Sequence, residues 1–123
     1  MSFAYHYDLE TASGNDPYKI VKGILSIDEE ELLFEYKLYD QTLTSISTLN
    51  KYSINVDLLK SIRFKKTLFN NYVIIETDST VFLDPLPGSS NGTIHLKIDR
   101  EHKNQAEDFC SKINVALERR SEL

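Results

Sequence analysis

Along residues 31–40, ELLFEYKLYD, apolar and polar side chains alternate. Leu32, Phe34, Tyr36 and Leu38 fall on one face, and Glu31, Glu35 and Lys37 on the other. A period of two belongs to a strand, whose successive side chains point to opposite sides. The preceding run, YKIVKGILSI (18–27), is rich in β-branched residues, and Asp28-Glu29-Glu30 separates the two as a hairpin turn. Residues 40–50, DQTLTSISTLN, are polar and weakly patterned, which predicts a loop.

Three further strands are predicted at YSINV (52–56), LKSIRFKK (59–66) and YVIIET (72–77), the last two joined through Thr67–Asn71. A shorter one, TVFLD (80–84), follows. DPLPGSSNG then crowds two prolines and two glycines into a connection, and TIHLKI (93–98) is the last strand. After Asp99 the period becomes helical. Ala106, Phe109, Cys110, Ile113, Ala116 and Leu117 recur at the spacing of one apolar helix face, with Asp99 placed as N-cap. Asp108 and Lys112 are an i,i+4 pair in the favourable order, and Arg119 and Arg120 suit the negative end of the helix dipole.

Residues 1–17 are polar and dotted with aromatics, ending at Asn15-Asp16-Pro17. They are expected to form a lead-in outside a domain of residues 18–120, with 121–123 as a tail. Within the lead-in Phe3, Tyr5 and Tyr7 alternate with Ala4 and His6, a pattern able to add a strand to a sheet edge, in its own molecule or a neighbour's.

Seven strands and then one helix with a single apolar face is an α+β plan. A flat seven-stranded sheet would expose both edges, so two bent antiparallel sheets closed by the C-terminal helix are expected. GILSIDEEELLFEY for a first hairpin, and LPGSSNGTIHLKIDREHKNQAEDFC for the last strand and helix, carry a resemblance to the pleckstrin-homology-like (PH-like) superfamily over about Lys19–Arg120. The chain also looks like small bacterial single-domain proteins of that class. The resemblance implies a seven-stranded bent barrel plugged by its C-terminal helix. The tryptophan often found on that helix is missing here, and Phe109 is its expected substitute. Phosphoinositide-binding members carry a basic motif at the first hairpin, where this chain has Asp28, Glu29, Glu30 and Glu31. That usual site therefore does not carry over.

The length, 123 residues, suits one domain with one core, and 41% hydrophobic with 27% charged residues is a globular composition. A net charge of −5 argues against sequence-independent nucleic-acid binding. No apolar run approaches the ~20 residues of a membrane span, and MSFAYHYDLE has neither the basic nor the apolar region of a secretory signal. The single cysteine, Cys110, leaves no disulfide framework or thiolate zinc site, so a reducing cytoplasm is the expected setting.

Against this acidic background KSIRFKK (60–66) stands out. Lys60, Arg63, Lys65 and Lys66 read either as a solvated face guarding a sheet edge or as a contact for anionic lipid head groups. His6, His95 and His102 show no metal-ligand spacing, and Cys110 lies on the apolar helix face. No nucleophile elbow, phosphate loop or metalloprotease motif is present, so no catalytic residue, metal or cofactor is predicted. The expected function is a non-enzymatic interaction module, binding a protein or peptide partner or itself. The surfaces expected for it are the edge beside the closing helix, the 40–50 loop, or Phe3, Tyr5 and Tyr7. A peripheral lipid binder and a small-ligand carrier are the alternatives.

Overall fold

The computed structural model describes residues 1–9 and 19–121, without the side chains of the last two helical residues. The expected lead-in after Leu9, the Asn15-Asp16-Pro17 turn, the placement of Arg120's side chain and the final tail residues lie outside the described residues. The elements are β1 (Ser2–Leu9), β2 (Lys19–Asp28), β3 (Glu31–Tyr39), β4 (Asn50–Asn55), β5 (Leu59–Lys66), β6 (Asn71–Thr77), β7 (Thr93–Ile98) and α1 (Lys103–Ser121). Short 3₁₀ turns at Val56–Leu58 and Arg100–His102 precede β5 and α1.

All seven strands lie in one antiparallel sheet of order β4-β3-β2-β1-β7-β6-β5. Its edge strands, β4 and β5, are consecutive in the chain and joined only by Val56–Leu58. Laid flat, six inter-strand gaps would separate them by about 29 Å. The four Cα steps from Asn55 to Leu59 reach at most about 15 Å. The sheet must therefore curl until its edges approach at this corner. No ladder joins β4 to β5, so the expected pair of sheets closed into a barrel is instead a single bent, open sheet.

Two strand assignments change. The lead-in is not outside the domain: Ser2–Leu9 is the middle strand, paired along its length with β2 and bridged to β7 through His6↔Lys97. Its alternation places Phe3 and Tyr5 in the core at 2% and 4% exposure, so they are not available to complete a neighbour's sheet. Tyr7 is half-buried and donates its hydroxyl to the Pro87 carbonyl at 2.6 Å. Conversely, 80–84 is a series of turns rather than a strand. Leu83 and Leu86, three residues apart, are both buried there, and Ser89 Oγ donates to the Leu83 carbonyl at 2.7 Å. Tyr52 on β4 donates to the Phe82 carbonyl. The segment thus stops one end of the curled sheet, tied down by tyrosines from two strands.

The other end is covered by α1, which packs on β5 and β1. Ala106, Phe109, Cys110 and Ile113 form its buried stripe, with Leu117 packed partly against the core, while Ala116 is exposed. The interior between the two ends is filled by Phe3, Phe34, Phe109, Leu25, Ile62 and Leu96, among others. Burying each such side chain contributes roughly 1.5–3 kcal/mol.

Asp99 flanks the 3₁₀ turn but makes no side-chain cap, contrary to expectation. Its carboxylate is instead taken by His6 Nε2 at 2.8 Å, across the β1–β7 seam.

Candidate functional site

The seven residues of KSIRFKK do not form one patch. A bulge between Leu59 and Ser61 lets Leu59 and Ile62 both point inward, leaving Lys60 at the corner where β4 meets β5. Lys66 lies at the far end of β5, six residues and about 20 Å away. Arg63, between them, approaches Glu76 Oε1 of β6 at 3.9 Å in a half-exposed pair worth little. Lys65 and Lys66 flank the β5–β6 turn.

That turn is the most exposed apolar feature of the described chain. Thr67 and Asn70 close it: Thr67 N–H and Oγ1 both donate to the Asn70 carbonyl at 2.8 Å, and Asn70 N–H returns to Thr67 Oγ1 at 3.0 Å. Leu68 and Phe69 occupy the tip at 88% and 87% exposure. Tight turns favour Gly, Asn, Asp and Ser for conformational reasons. Neither Leu68 nor Phe69 has a positive φ, and neither packs on the core, so neither the turn nor the fold requires an apolar pair here.

Beside the tip lies an open groove of about 410 Å3. Register explains its composition. Asn71 at the start of β6 pairs with Ile98 at the end of β7, which brings the tip next to the β7–α1 junction. Lys66, Lys97, Arg100 and Lys103 line the groove, with Asp99 the lone carboxylate among them. Four cations, from β5, β7, the 3₁₀ turn and α1, thus meet an apolar tip, and none is within an ion pair among the described residues. Asp99 is engaged by His6.

The acidic β2–β3 tip stands at the other side of the same end. Glu29 and Glu30 line a recess with Met1 and with Lys112 and Ala116 of α1. Lys103 to Lys112 spans about 14 Å of helix. A net charge of −5 is therefore compatible with a locally positive corner, because the clustered carboxylates sit away from it.

The three histidines stay apart: His6 meets Asp99, His102 meets Gln105 and Glu101, and His95 is exposed on β7. No group of three potential metal ligands gathers among the described residues. Cys110 is buried, and burial, assisted by the nearby Glu107 charge, pushes its thiol up to about 12, so it stays protonated and unreactive. Burial also raises the hydroxyl groups of Tyr5 and Tyr7 well above the ordinary phenol value.

No family model, curated protein or solved structure matches this chain. The site residues not singled out from sequence are Leu68, Phe69, Lys97, Arg100 and Lys103. Two apolar residues inside a predicted turn were a visible signal; the convergence of the cations was not, because it depends on the β6–β7 register.

Proposed function

We propose that this chain is a non-enzymatic, cytoplasmic module that docks on an anionic membrane surface through the β5–β6 tip. The observation that carries the reading is the near-complete exposure of Leu68 and Phe69 beside Lys66, Lys97, Arg100 and Lys103. Inserting both apolar side chains would contribute several kcal/mol, and each cation near an anionic leaflet about 1 kcal/mol. Neither term alone overcomes the cost of association, and together they form the two-signal arrangement that reversible membrane binding requires. The acidic tip across α1 would be repelled, which selects one orientation. No helix of the described chain is long and apolar enough to span a bilayer, so the contact is peripheral in this reading.

The PH-like reading of the fold belongs to the same proposal. What supports it is seven antiparallel strands in one curled sheet with a C-terminal helix across an open end, and Phe109 buried as the plug. The docking corner differs from the first hairpin, which is acidic here.

Co-sedimentation with phosphatidylcholine vesicles, with and without phosphatidylserine, tests the proposal. Binding is expected only with phosphatidylserine and should weaken steeply with salt. A Leu68→Ser/Phe69→Ser variant and a Lys66→Glu/Lys103→Glu variant should each lose roughly tenfold or more in affinity with unchanged melting temperature. Absence of binding at low salt, or variants that bind as well as the parent, would overturn it.

A further inference from the structure

A second feature lies on the outer face of the sheet and meets the tip's groove only at Lys97 and Asp99. Cross-strand register sets Lys37 of β3 directly opposite Lys22 of β2, Lys22 opposite His6 of β1, and His6 opposite Lys97 of β7. Directly opposed residues share one face. The buried positions Val21, Leu25, Phe3, Tyr5, Leu96 and Ile98 occupy the other face, so this row points to solvent. Like charges placed directly opposite each other destabilise a sheet. Lys22 and Lys37 nevertheless meet in this way, and neither has a carboxylate partner among the described residues. Lys22 only leans over the Tyr39 ring, 5.7 Å from its centre.

The row borders a shallow trough made of two recesses of about 370 and 340 Å3 that share Lys22 and the Gly23 backbone. Ala4 keeps the floor low at the β1 end, where His6 and Asp99 bound it. At the β3 end the trough meets Lys37, Tyr39 and two half-exposed apolar side chains, Ile24 and Leu49. Two carboxylates border it: Asp99, hydrogen-bonded to His6, and Glu35, which register sets opposite Lys51 of β4. The recesses themselves balance Lys22 and Lys37 against Glu35 and Asp99, and Lys97 of the row with Lys51 opposite Glu35 leave lysines in excess on this face, with apolar patches between the charges.

We infer that this trough binds an extended acidic peptide segment of a partner protein, one that alternates carboxylate and aliphatic side chains. Charge complementarity selects the carboxylates for Lys22 and Lys37, and Ile24 and Leu49 receive the aliphatic groups. Three inter-strand gaps, about 14 Å, separate β7 from β3, a span that about four residues of extended chain cover. The trough adjoins the membrane-docking corner at Lys97 and Asp99, while Lys22, Ile24, Lys37 and Leu49 lie outside that corner's groove, so a lipid surface at the corner and a partner on the outer face engage different side chains.

The test is a titration of the full chain, followed by backbone amide chemical shifts, with a short capped peptide of alternating glutamate and leucine. A lysine–leucine peptide of the same length is the control. Saturable shifts centred on Lys22, Ile24, Lys37 and Leu49 are expected for the acidic peptide alone. A Lys22→Glu/Lys37→Glu variant should bind at least tenfold more weakly with its melting temperature retained. Should that variant unfold, Lys22→Gln/Lys37→Gln is to show the same loss. Absence of saturable shifts, equal response to the lysine peptide, or undiminished binding by the variants would overturn the inference. So would a concentration-dependent dimer abolished by the same substitutions, which would assign the face to a second copy. Phosphatidylserine vesicles that shift the trough rather than the tip would assign it to lipid and overturn it equally.

Discussion

Phe3 and Phe109 meet edge to face, with ring centroids 5.0 Å apart and planes at 81°. One comes from the first strand and the other from the final helix, and both are buried. This contact fastens the helix to the middle of the sheet. Truncating either ring to alanine should cost about 3–5 kcal/mol, a large share of the stability of a domain this size. A double-mutant cycle should return about 0.5–1.5 kcal/mol of coupling for the aromatic geometry. Denaturant unfolding of the two single variants and the double variant measures it. A loss below about 1 kcal/mol for Phe3→Ala, typical of surface sites, would mean that β1 is dispensable to the core.

Gly23 sits opposite Tyr5, and the Tyr5 ring lies over it. A Cβ at this position would stand 2.6 Å from Tyr5 Oη and even nearer the Glu35 carbonyl. Replacing a strand glycine by alanine ordinarily helps, because glycine weakens strands. Here the sign reverses, since a backbone carbonyl cannot swing aside as a flexible side chain can. Gly23→Ala should lose about 1–3 kcal/mol by overpacking. A thermal melt showing an unchanged or raised midpoint would contradict this packing.

Asp40 organises the start of the 40–50 loop. Its Oδ1 accepts from Thr42 Oγ1 at 2.7 Å, Thr42 N–H at 2.9 Å and Thr44 N–H at 3.0 Å. The hydrogen bond from the Thr42 hydroxyl, followed by that from the Thr44 amide, holds the carboxyl below its ordinary value of 3.8. Because the folded value is depressed, the stabilisation is present above the unfolded value and is lost as pH falls through the folded one. Amide exchange at Thr42 and Thr44 should therefore be constant from neutral pH down to the ordinary carboxylate range, after correction for intrinsic rates, and accelerate below it. Asp40→Ala should show the accelerated rate at neutral pH. Equal protection in the variant would remove Asp40 from the account.

Several elements were readable directly from residue order. The alternation of Leu32, Phe34 and Tyr36 marks β3, and the helical spacing of Ala106, Phe109, Cys110 and Ile113 marks α1 and its buried face. Both patterns arise from geometry repeated within a few residues, so neighbours in sequence suffice to reveal them. β1 shows the limit. Phe3, Tyr5 and Tyr7 have the alternation of a strand, but the polar stretch that follows them has the pattern of a lead-in. Their place in mid-sheet rests on pairing with β7, some ninety residues on. TVFLD departs in the opposite direction: its strand-like residues fold as turns, which bury Leu83 and, just beyond, Leu86 at the open end of the sheet.

The candidate site divides in the same way. Lys65 and Lys66 were visible, and the apolar pair in the turn was available to inspection. Lys60 fell away because the bulge at Leu59–Ser61 and the length of β5 remove it from the tip. Lys97, Arg100 and Lys103 joined because Asn71 pairs with Ile98.

By itself, then, the sequence determined the α+β composition, six of the seven strands, the helix with its apolar stripe, and the segregation of acidic and basic clusters. These follow from local periodicity, turn chemistry and charge. Only the tertiary structure decided that the N-terminal strand sits at the centre, that one sheet curls rather than two sheets closing, and which cations meet at the tip. Those outcomes depend on strand register and on a three-residue link between the two edge strands, contacts between residues far apart in the chain that no local pattern encodes.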